Sequence, residues 1–293
     1  MSGTMQSRFF AAPDGLNLHA LVLGEDAATA QQPTPIVCLP GLTRPARDFV
    51  VLAQYLYART PRRIVSLDYR GRGGSDWDPE WRNYSLPVEY VDILAMLDQL
   101  KLGSAIFIGT SRGGLHAMTL ASLSPERVKA LALNDIGPEL GLQGLAKISA
   151  YIGRLPVLRT VEQAVEHFKG SLGGSFPAVP DEDWRIYADI SLNDTPERLR
   201  LSYDPQLART MDNFDPAKPL PDLWELFQGL TAPVLALRGE NSDLLSPEVF
   251  ARMAAVHPRC QTHVVPGQGH APLLLDKPTL ERIAAFIDEA DRG

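Results

Sequence analysis

The sequence is short of cysteine, of positive charge and of long apolar runs, and each shortage removes a class of protein. Only two cysteines occur in 293 residues. Cys38 sits in the run Ile36-Val37-Cys38-Leu39 and Cys260 lies far along the chain, so no disulfide scaffold is expected and a reducing compartment is. Both thiols read as buried and inert. Lys and Arg number 28 against 35 Asp and Glu, a formal charge of −7. No surplus of cations exists to neutralise phosphates, which argues against a nucleic-acid partner. No window approaches the roughly 18 consecutive apolar residues of a membrane-spanning helix. The opening MSGTMQSRFFAAPDG carries a single Arg and no apolar stretch of the length a secretory signal needs, so a cytoplasmic protein is expected. What is present is ordinary for a globular chain, 45% apolar and 22% charged residues, enough to bury a core in one large α/β domain or two modest ones.

Residues 8–23 hold Asp14-Gly15 between two strand-like runs, the composition of a tight hairpin, and predict an antiparallel edge. The stretch from Ala27 to Pro35 reads as a loop. Beyond it, short apolar runs alternate with helical patterns, the signature of a parallel sheet with helices on both faces. Buried strands are predicted at Ile36–Leu39, Ile64–Leu67, Ala105–Ile108, Val128–Leu133, Val234–Leu237 and Thr262–Val265. Tyr90, Ile93, Leu94 and Leu97 line one face of a helix, and Leu280, Ile283, Ala284 and Ile287 line a face of another. From Gly137 to Leu230 the rhythm fails. That interval shows no convincing apolar strand, only helical pieces divided by Pro156, Gly173-Gly174, Pro180, Pro196, Pro216 and Pro219. It predicts a helical, lid-like subdomain over 137–230, with residues 1–136 and 231–293 forming the core, because a structureless loop of that length is implausible.

Residues 105–114, AIFIGTSRGG, run from an apolar strand through Gly109-Thr110-Ser111-Arg112-Gly113 into the helical run LHAMTLASL. This is G-x-S-x-G in a strand–turn–helix setting. The glycines allow a strained turn that presents Ser111 at the end of a strand and the start of a helix, where free N–H groups favour developing negative charge. A glycine-bracketed turn with an incidental serine reads the same way, so the test is whether a base and an orienting carboxylate follow. His270 does, in PGQGHAPLL after the last strand; Asp243 does, in LRGENSDLLS after the strand before it. The order Ser111, Asp243, His270 is that of α/β-hydrolases.

From about Arg8 to its end the chain resembles capped members of the α/β-hydrolase superfamily. Leu39-Pro40-Gly41-Leu42 resembles the family's turn after the third strand, although His is common where Pro40 stands. Asp68-Tyr69-Arg70-Gly71-Arg72-Gly73-Gly74-Ser75-Asp76 resembles the loop after the fourth, and Gly267-Gln268-Gly269-His270 the histidine loop. The resemblance implies a doubly wound, mostly parallel sheet of about eight strands with a helical cap after the sixth. It also implies an oxyanion hole made by the backbone N–H groups of Leu42 and Arg112, and Asp243 as the favoured triad acid, since RGENSD matches the more usual site. Asp135, at the end of the sixth strand, is the alternative acid; it could instead support the Asp243 loop or cap the start of the lid. The Arg112 side chain either folds back on the sheet edge or meets an acidic substrate group.

Other signals are weaker. The glycine-rich 70–76 segment lacks the ending of a nucleotide loop, and His257, Cys260 and His263 would be scattered by strand alternation, so neither nucleotide nor metal is expected. His19, His116 and His167 have no motif partners. Trp184 and Tyr187 in the lid, with Trp224 and Phe227 near its exit, are candidates for a pocket wall as well as for core. The leading expectation is a cofactor-free serine hydrolase of a small carboxylic ester or lactone working through an acyl-enzyme. Hydrolysis of a C–C or amide-type bond by the same triad is the alternative, and a small-molecule receptor on a hydrolase scaffold is the non-enzymatic one. A dehalogenase or epoxide hydrolase is disfavoured, since those relatives carry Asp where Ser111 stands. The oligomeric state has no signature in the sequence.

Overall fold

The computed structural model describes residues 3–25, 33–195, 197–212, 214–218 and 220–293. The predicted loop at 27–35 falls largely outside these, as do Pro196 and Pro219. Strands β1 (Gln6–Ala11) and β2 (Asn17–Leu23) pair antiparallel, with Gly15 at φ +93° in the turn between them. Then follow β3 (Ile36–Leu39), α1 (Val50–Arg59), β4 (Ile64–Leu67), α2 (Leu86–Gln99), β5 (Ala105–Thr110), α3 (Arg112–Leu123) and β6 (Val128–Asn134). After an insertion come β9 (Val234–Gly239), α8 (Pro247–Val256), β10 (Cys260–Val265) and α9 (Lys277–Arg292). The sheet has eight strands in the order β1-β2-β4-β3-β5-β6-β9-β10, parallel from β4 onward.

Alternation along the strands divides the core into two layers. Val37, Leu39, Val65, Leu67, Phe107 and Leu131 face α2, α3 and α8. Ile36, Cys38, Ile64, Ile106, Ile108 and Ala132 face α1 and α9. Both sides of the central strands are therefore apolar, which is why they read as continuous hydrophobic runs. The predicted α9 stripe of Leu280, Ile283, Ala284 and Ile287 is buried as expected. One strand departs from expectation: β10 is the sheet's edge, and of its residues only Val265 is fully buried.

The insertion between β6 and β9 holds α4 (Leu142–Tyr151), α5 (Val161–Leu172), α6 (Asp181–Ser191) and α7 (Trp224–Gln228). It also holds a two-stranded antiparallel ribbon, β7 (Leu192–Asp194) with β8 (Leu199–Leu201). That ribbon was not foreseen, because strands of three residues with polar members carry no apolar run. Leu158, Ala164, Ala188, Leu192 and Leu199 give the insertion a small core of its own. Trp224 and Phe227 of α7 instead belong to the main core beside α3, so the insertion rejoins the body of the molecule before residue 230.

Loops at the C-terminal ends of the strands fasten the insertion down. Gly73 N–H donates to Ser202 O and Asp204 N–H to Gly71 O, both at 2.8 Å. Tyr84 Oη donates to Asp204 Oδ2 at 2.6 Å, Arg47 Nη2 to Ile190 O at 3.2 Å, and Asn241 Nδ2 to Ser175 O at 3.2 Å. The insertion thus lies over the edge of the sheet at which β5, β6 and β9 end. Among the described residues no helix is long and apolar enough to cross a membrane.

Candidate active site

Ser111 follows β5 with φ 50° and ψ −114°, a strained backbone for a side chain with a Cβ. The strain is imposed by close backbone approaches that only glycine permits. A Cβ on Gly109 would stand 2.5 Å from the Gly113 carbonyl, and one on Gly113 would collide with the Leu39 carbonyl. The second approach presses the start of α3 against the end of β3 and Pro40, which opens the turn that carries Leu42. Ser111 N–H is held by Asn134 O at 3.0 Å, while its carbonyl accepts from Gly114 N–H at 2.8 Å and opens α3. As the N-cap of that helix its hydroxyl would ordinarily bond the first turn, yet it makes no such bond. Its partner is His270 Nε2, at 3.0 Å.

The other ring nitrogen, His270 Nδ1, lies 2.7 Å from Asp135 Oδ2. Since a carboxylate only accepts, Nδ1 carries the proton and Nε2 is left free to accept from Ser111. Asp135 is fully buried, and its remaining capacity is filled by Gly239 N–H on Oδ1 at 2.8 Å and Ser242 Oγ on Oδ2 at 2.5 Å. These three donors satisfy a charge that burial would otherwise make costly.

The expectation that Asp243 orients His270 is therefore corrected. Asp243 pairs with Lys147 of α4 and points into the insertion, while its neighbour Ser242 supports Asp135. The physical reason lies in register. β6 and β9 are adjacent and parallel with Asn134 beside Leu237, so Asp135 leaves the sheet next to the β9 loop and reaches the imidazole first. Two of the three roles weighed for Asp135, orienting the histidine and supporting the Asp243 loop, are combined in one carboxylate.

The backbone N–H groups of Leu42 and Arg112 donate to no other group among the described residues. The Arg112 side chain folds back, as one of its two readings expects, but onto helix α2 rather than the sheet edge, Nε donating to Glu89 Oε2 at 2.6 Å. Of the aromatics proposed as pocket wall, Trp184 is only 2% exposed and packs edge-on to Phe176 and Tyr187, so it is core of the insertion. Tyr187 is partly exposed, with the Arg44 guanidinium 4.2 Å above its ring. Arg44 leaves the turn that carries Leu42, so this contact ties Tyr187 of α6 to that turn.

His116, without a motif partner in the sequence, is buried against Glu89 at 2.9 Å. Glu89 and Asp92 are buried on the same face of α2 as Ile93, Met96 and Leu97, and charged residues at the spacing of an apolar stripe were the signal available for them. His19 lies between Asp68 (2.6 Å) and Ser7 (3.0 Å), a second serine, histidine and aspartate in file. Ser7, however, stands on the edge strand β1, at neither a strand-to-helix turn nor a helix N-terminus. His257 uses both ring nitrogens on backbone groups, with Leu230 O at 3.0 Å and Arg259 N–H at 3.2 Å. A surface hollow of about 560 Å³ near Lys129, Pro233 and Cys260 lies at the opposite, N-terminal ends of β6, β9 and β10 and touches none of the Ser111 set.

A model of the alpha/beta hydrolase family matches residues 36–285. A 3-hydroxybutyrate-oligomer hydrolase of Cupriavidus necator is 34% identical over 285 residues, 94% of this chain and 95% of that protein. A 2-(acetamidomethylene)succinate hydrolase of Mesorhizobium japonicum is 30% identical over 76% of this chain and 78% of its own. Among solved structures, an alpha/beta hydrolase from Novosphingobium aromaticivorans superposes with a TM-score of 0.88 at 34% identity, covering 97% of this chain and 98% of that one.

Proposed function

Because the chain belongs to the alpha/beta hydrolase family, and so is a hydrolase, we propose that it cleaves a small carboxylic ester or lactone through an acyl-enzyme on Ser111. The observation that carries this reading is the file Ser111 Oγ, His270 Nε2 at 3.0 Å, His270 Nδ1 to Asp135 Oδ2 at 2.7 Å. Ser111 Oγ attacks the carbonyl carbon as its proton passes to His270 Nε2, and Asp135 stabilises the imidazolium. The oxyanion is met by the amides of Leu42 and Arg112, each worth roughly 3 kcal/mol of barrier by analogy with donor deletions. His270 returns the proton to the leaving alcohol, and the same cycle with water releases the acid.

The Cupriavidus relative suggests the first substrates to test. An oligomer of 3-hydroxybutyrate is a chain of hydroxy acids joined by ester bonds, and that relative spans nearly the whole chain. The Mesorhizobium relative, named for a substrate with an amide-type bond, supports the alternative chemistry over a smaller share. Insertion residues such as Tyr187 are proposed to set the choice between them.

Wild-type protein should take up one fluorophosphonate per chain and hydrolyse p-nitrophenyl butyrate and hydroxybutyrate dimers. Ser111→Ala should lose both activities, leaving Ser7 unlabelled. Ester turnover that survives in Ser111→Ala, or an adduct mapped to another serine, overturns the proposal.

A further inference from the structure

Glu89 is fully buried on α2, an unusual place for a carboxylate, and a buried charge persists only where partners and hydrogen bonds compensate it, so that removing it alone strands those partners. Its surroundings indicate what the charge is for. Oε1 accepts from Arg72 Nη1 at 2.7 Å, and Oε2 accepts from Arg112 Nε at 2.6 Å and from His116 Nε2 at 2.9 Å. Arg112 is the residue whose amide follows the nucleophile. Arg72 Nε donates to the carbonyl of Leu42 at 2.8 Å, and its Nη1 is shared with Arg70 O at 2.7 Å. The Arg72 guanidinium is also flanked by the Tyr69 and Tyr84 rings, each 5.5 Å away, so its plane is held. Arg72 Nη2 is buried with no partner among the described residues. The fork is thus aimed to serve Leu42 and Glu89 at the expense of one donor.

The chain of contacts runs Leu42 carbonyl, Arg72, Glu89, Arg112, and its two ends are the residues whose amides the proposed mechanism uses for the oxyanion. We propose that Glu89 is a positioning residue that sets the separation and direction of these two donors. The inference rests on the serine-hydrolase reading above. Its physical basis is that an oxyanion hole works only with both donors about 2.7–3.1 Å from the oxygen, and the planar Arg72 guanidinium, bridging Leu42 O through Nε and Glu89 through Nη1, transmits a fixed distance better than a flexible ammonium. Leu42 and Arg112 are distant in sequence, and besides this chain of contacts Arg112 Nη2 donates to Tyr84 O at 3.3 Å while Leu42 packs on the cluster around Tyr84.

The test compares two ligands of equal shape. A short-chain alkyl trifluoromethyl ketone is attacked by Ser111 Oγ, whose proton goes to His270, and places an oxyanion between the two amides. The matching secondary alcohol binds without adding. In Glu89→Gln the ratio of ketone to alcohol affinity should fall about tenfold or more, kcat on p-nitrophenyl butyrate should fall by a similar factor, and KM should stay within about twofold. A folded Glu89→Gln protein with the wild-type ratio overturns the inference while leaving the serine mechanism standing. Absence of any ketone preference in the wild type, or its persistence in Ser111→Ala, overturns the mechanism and the inference together. If Glu89→Gln fails to fold, Arg112→Met decides: the Arg112 side chain is 14% exposed and its amide is retained. The ratio should fall in Arg112→Met and recover only in part in Arg112→Lys, whose flexible ammonium keeps the charge toward Glu89 but not the planar donor; an unchanged ratio in Arg112→Met overturns the proposal.

Discussion

Asp135 and Ser111 both hold positive φ, 55° and 50°, in a chain where few residues with a side chain do so. Strain of this kind persists only where surrounding contacts over-determine it. Around Asp135 those contacts are the amide of Gly239, the hydroxyl of Ser242 and the imidazole of His270. Asp243 has one ionic partner, Lys147, whose side chain is half exposed. Asp135→Asn should therefore cost several orders of magnitude in kcat, up to about 10⁴, because an amide in its place no longer stabilises the imidazolium and favours the wrong tautomer. Asp243→Asn should stay within about tenfold of wild type. Steady-state kinetics on one ester decides between them, and the reverse ranking would remove Asp135 from the proposed triad.

The elements of the core were legible because their burial is one-dimensional. A strand covered on both faces is apolar except where a buried hydroxyl finds a partner, as Ser66 does in Ala46 O, and β3 and β4 span the runs Ile36–Leu39 and Ile64–Leu67. The elbow was legible because Gly109 and Gly113 meet backbone, which nothing but glycine tolerates. The carboxylate paired with His270 was not, since Asp135 and Asp243 follow adjacent strands and no sequence pattern records which carboxylate turns toward the imidazole. Glu89 was overlooked for a related reason: its partners Arg72, Arg112 and His116 come from other elements. Within the insertion, the same distinction between core and site yields a prediction. Trp184→Ala should destabilise that region by about 3–5 kcal/mol, the usual cost of deleting a buried aromatic, and shorten its resistance to proteolysis. Tyr187→Ala should instead change relative kcat/KM among acyl chains while the fluorophosphonate rate holds. Equal shifts for all substrates would make Tyr187 a structural residue only.

For the whole molecule, acid should act through buried histidines. Burial lowers the pKa of His116 from its ordinary 6.5; the hydrogen bond and charge of Glu89 oppose this, and Arg112 and Arg72 reinforce it. A lowered folded value means that this contribution to stability is present above about 6.5 and is lost as pH falls toward the folded pKa, because the unfolded chain binds a proton that the folded one refuses. His257 and His263 shift in the same direction, also through burial first. The urea midpoint should thus decline as pH drops below 6.5, with each proton contributing at most about 1.4 kcal/mol per pH unit. His116→Gln, which keeps a donor toward Glu89, should flatten that slope without abolishing it. An identical slope in the variant would show that His116 takes no part.

The insertion also fixes an order of events during synthesis. β6 pairs with β9, joining Leu131 to Val234 across more than a hundred intervening residues, and Asp135 receives its donors from Gly239, Ser242 and His270. A nascent chain that has folded through β6 already displays Ser111 on its elbow, but the imidazole that would take its proton is still to be translated. Until β9 clears the ribosome β6 is an open sheet edge, and until residue 270 follows the serine has no base beside it. Arrest before Val234 should therefore leave a chain that binds chaperones through that edge and ignores fluorophosphonate, so that reactivity itself reports that synthesis has passed His270.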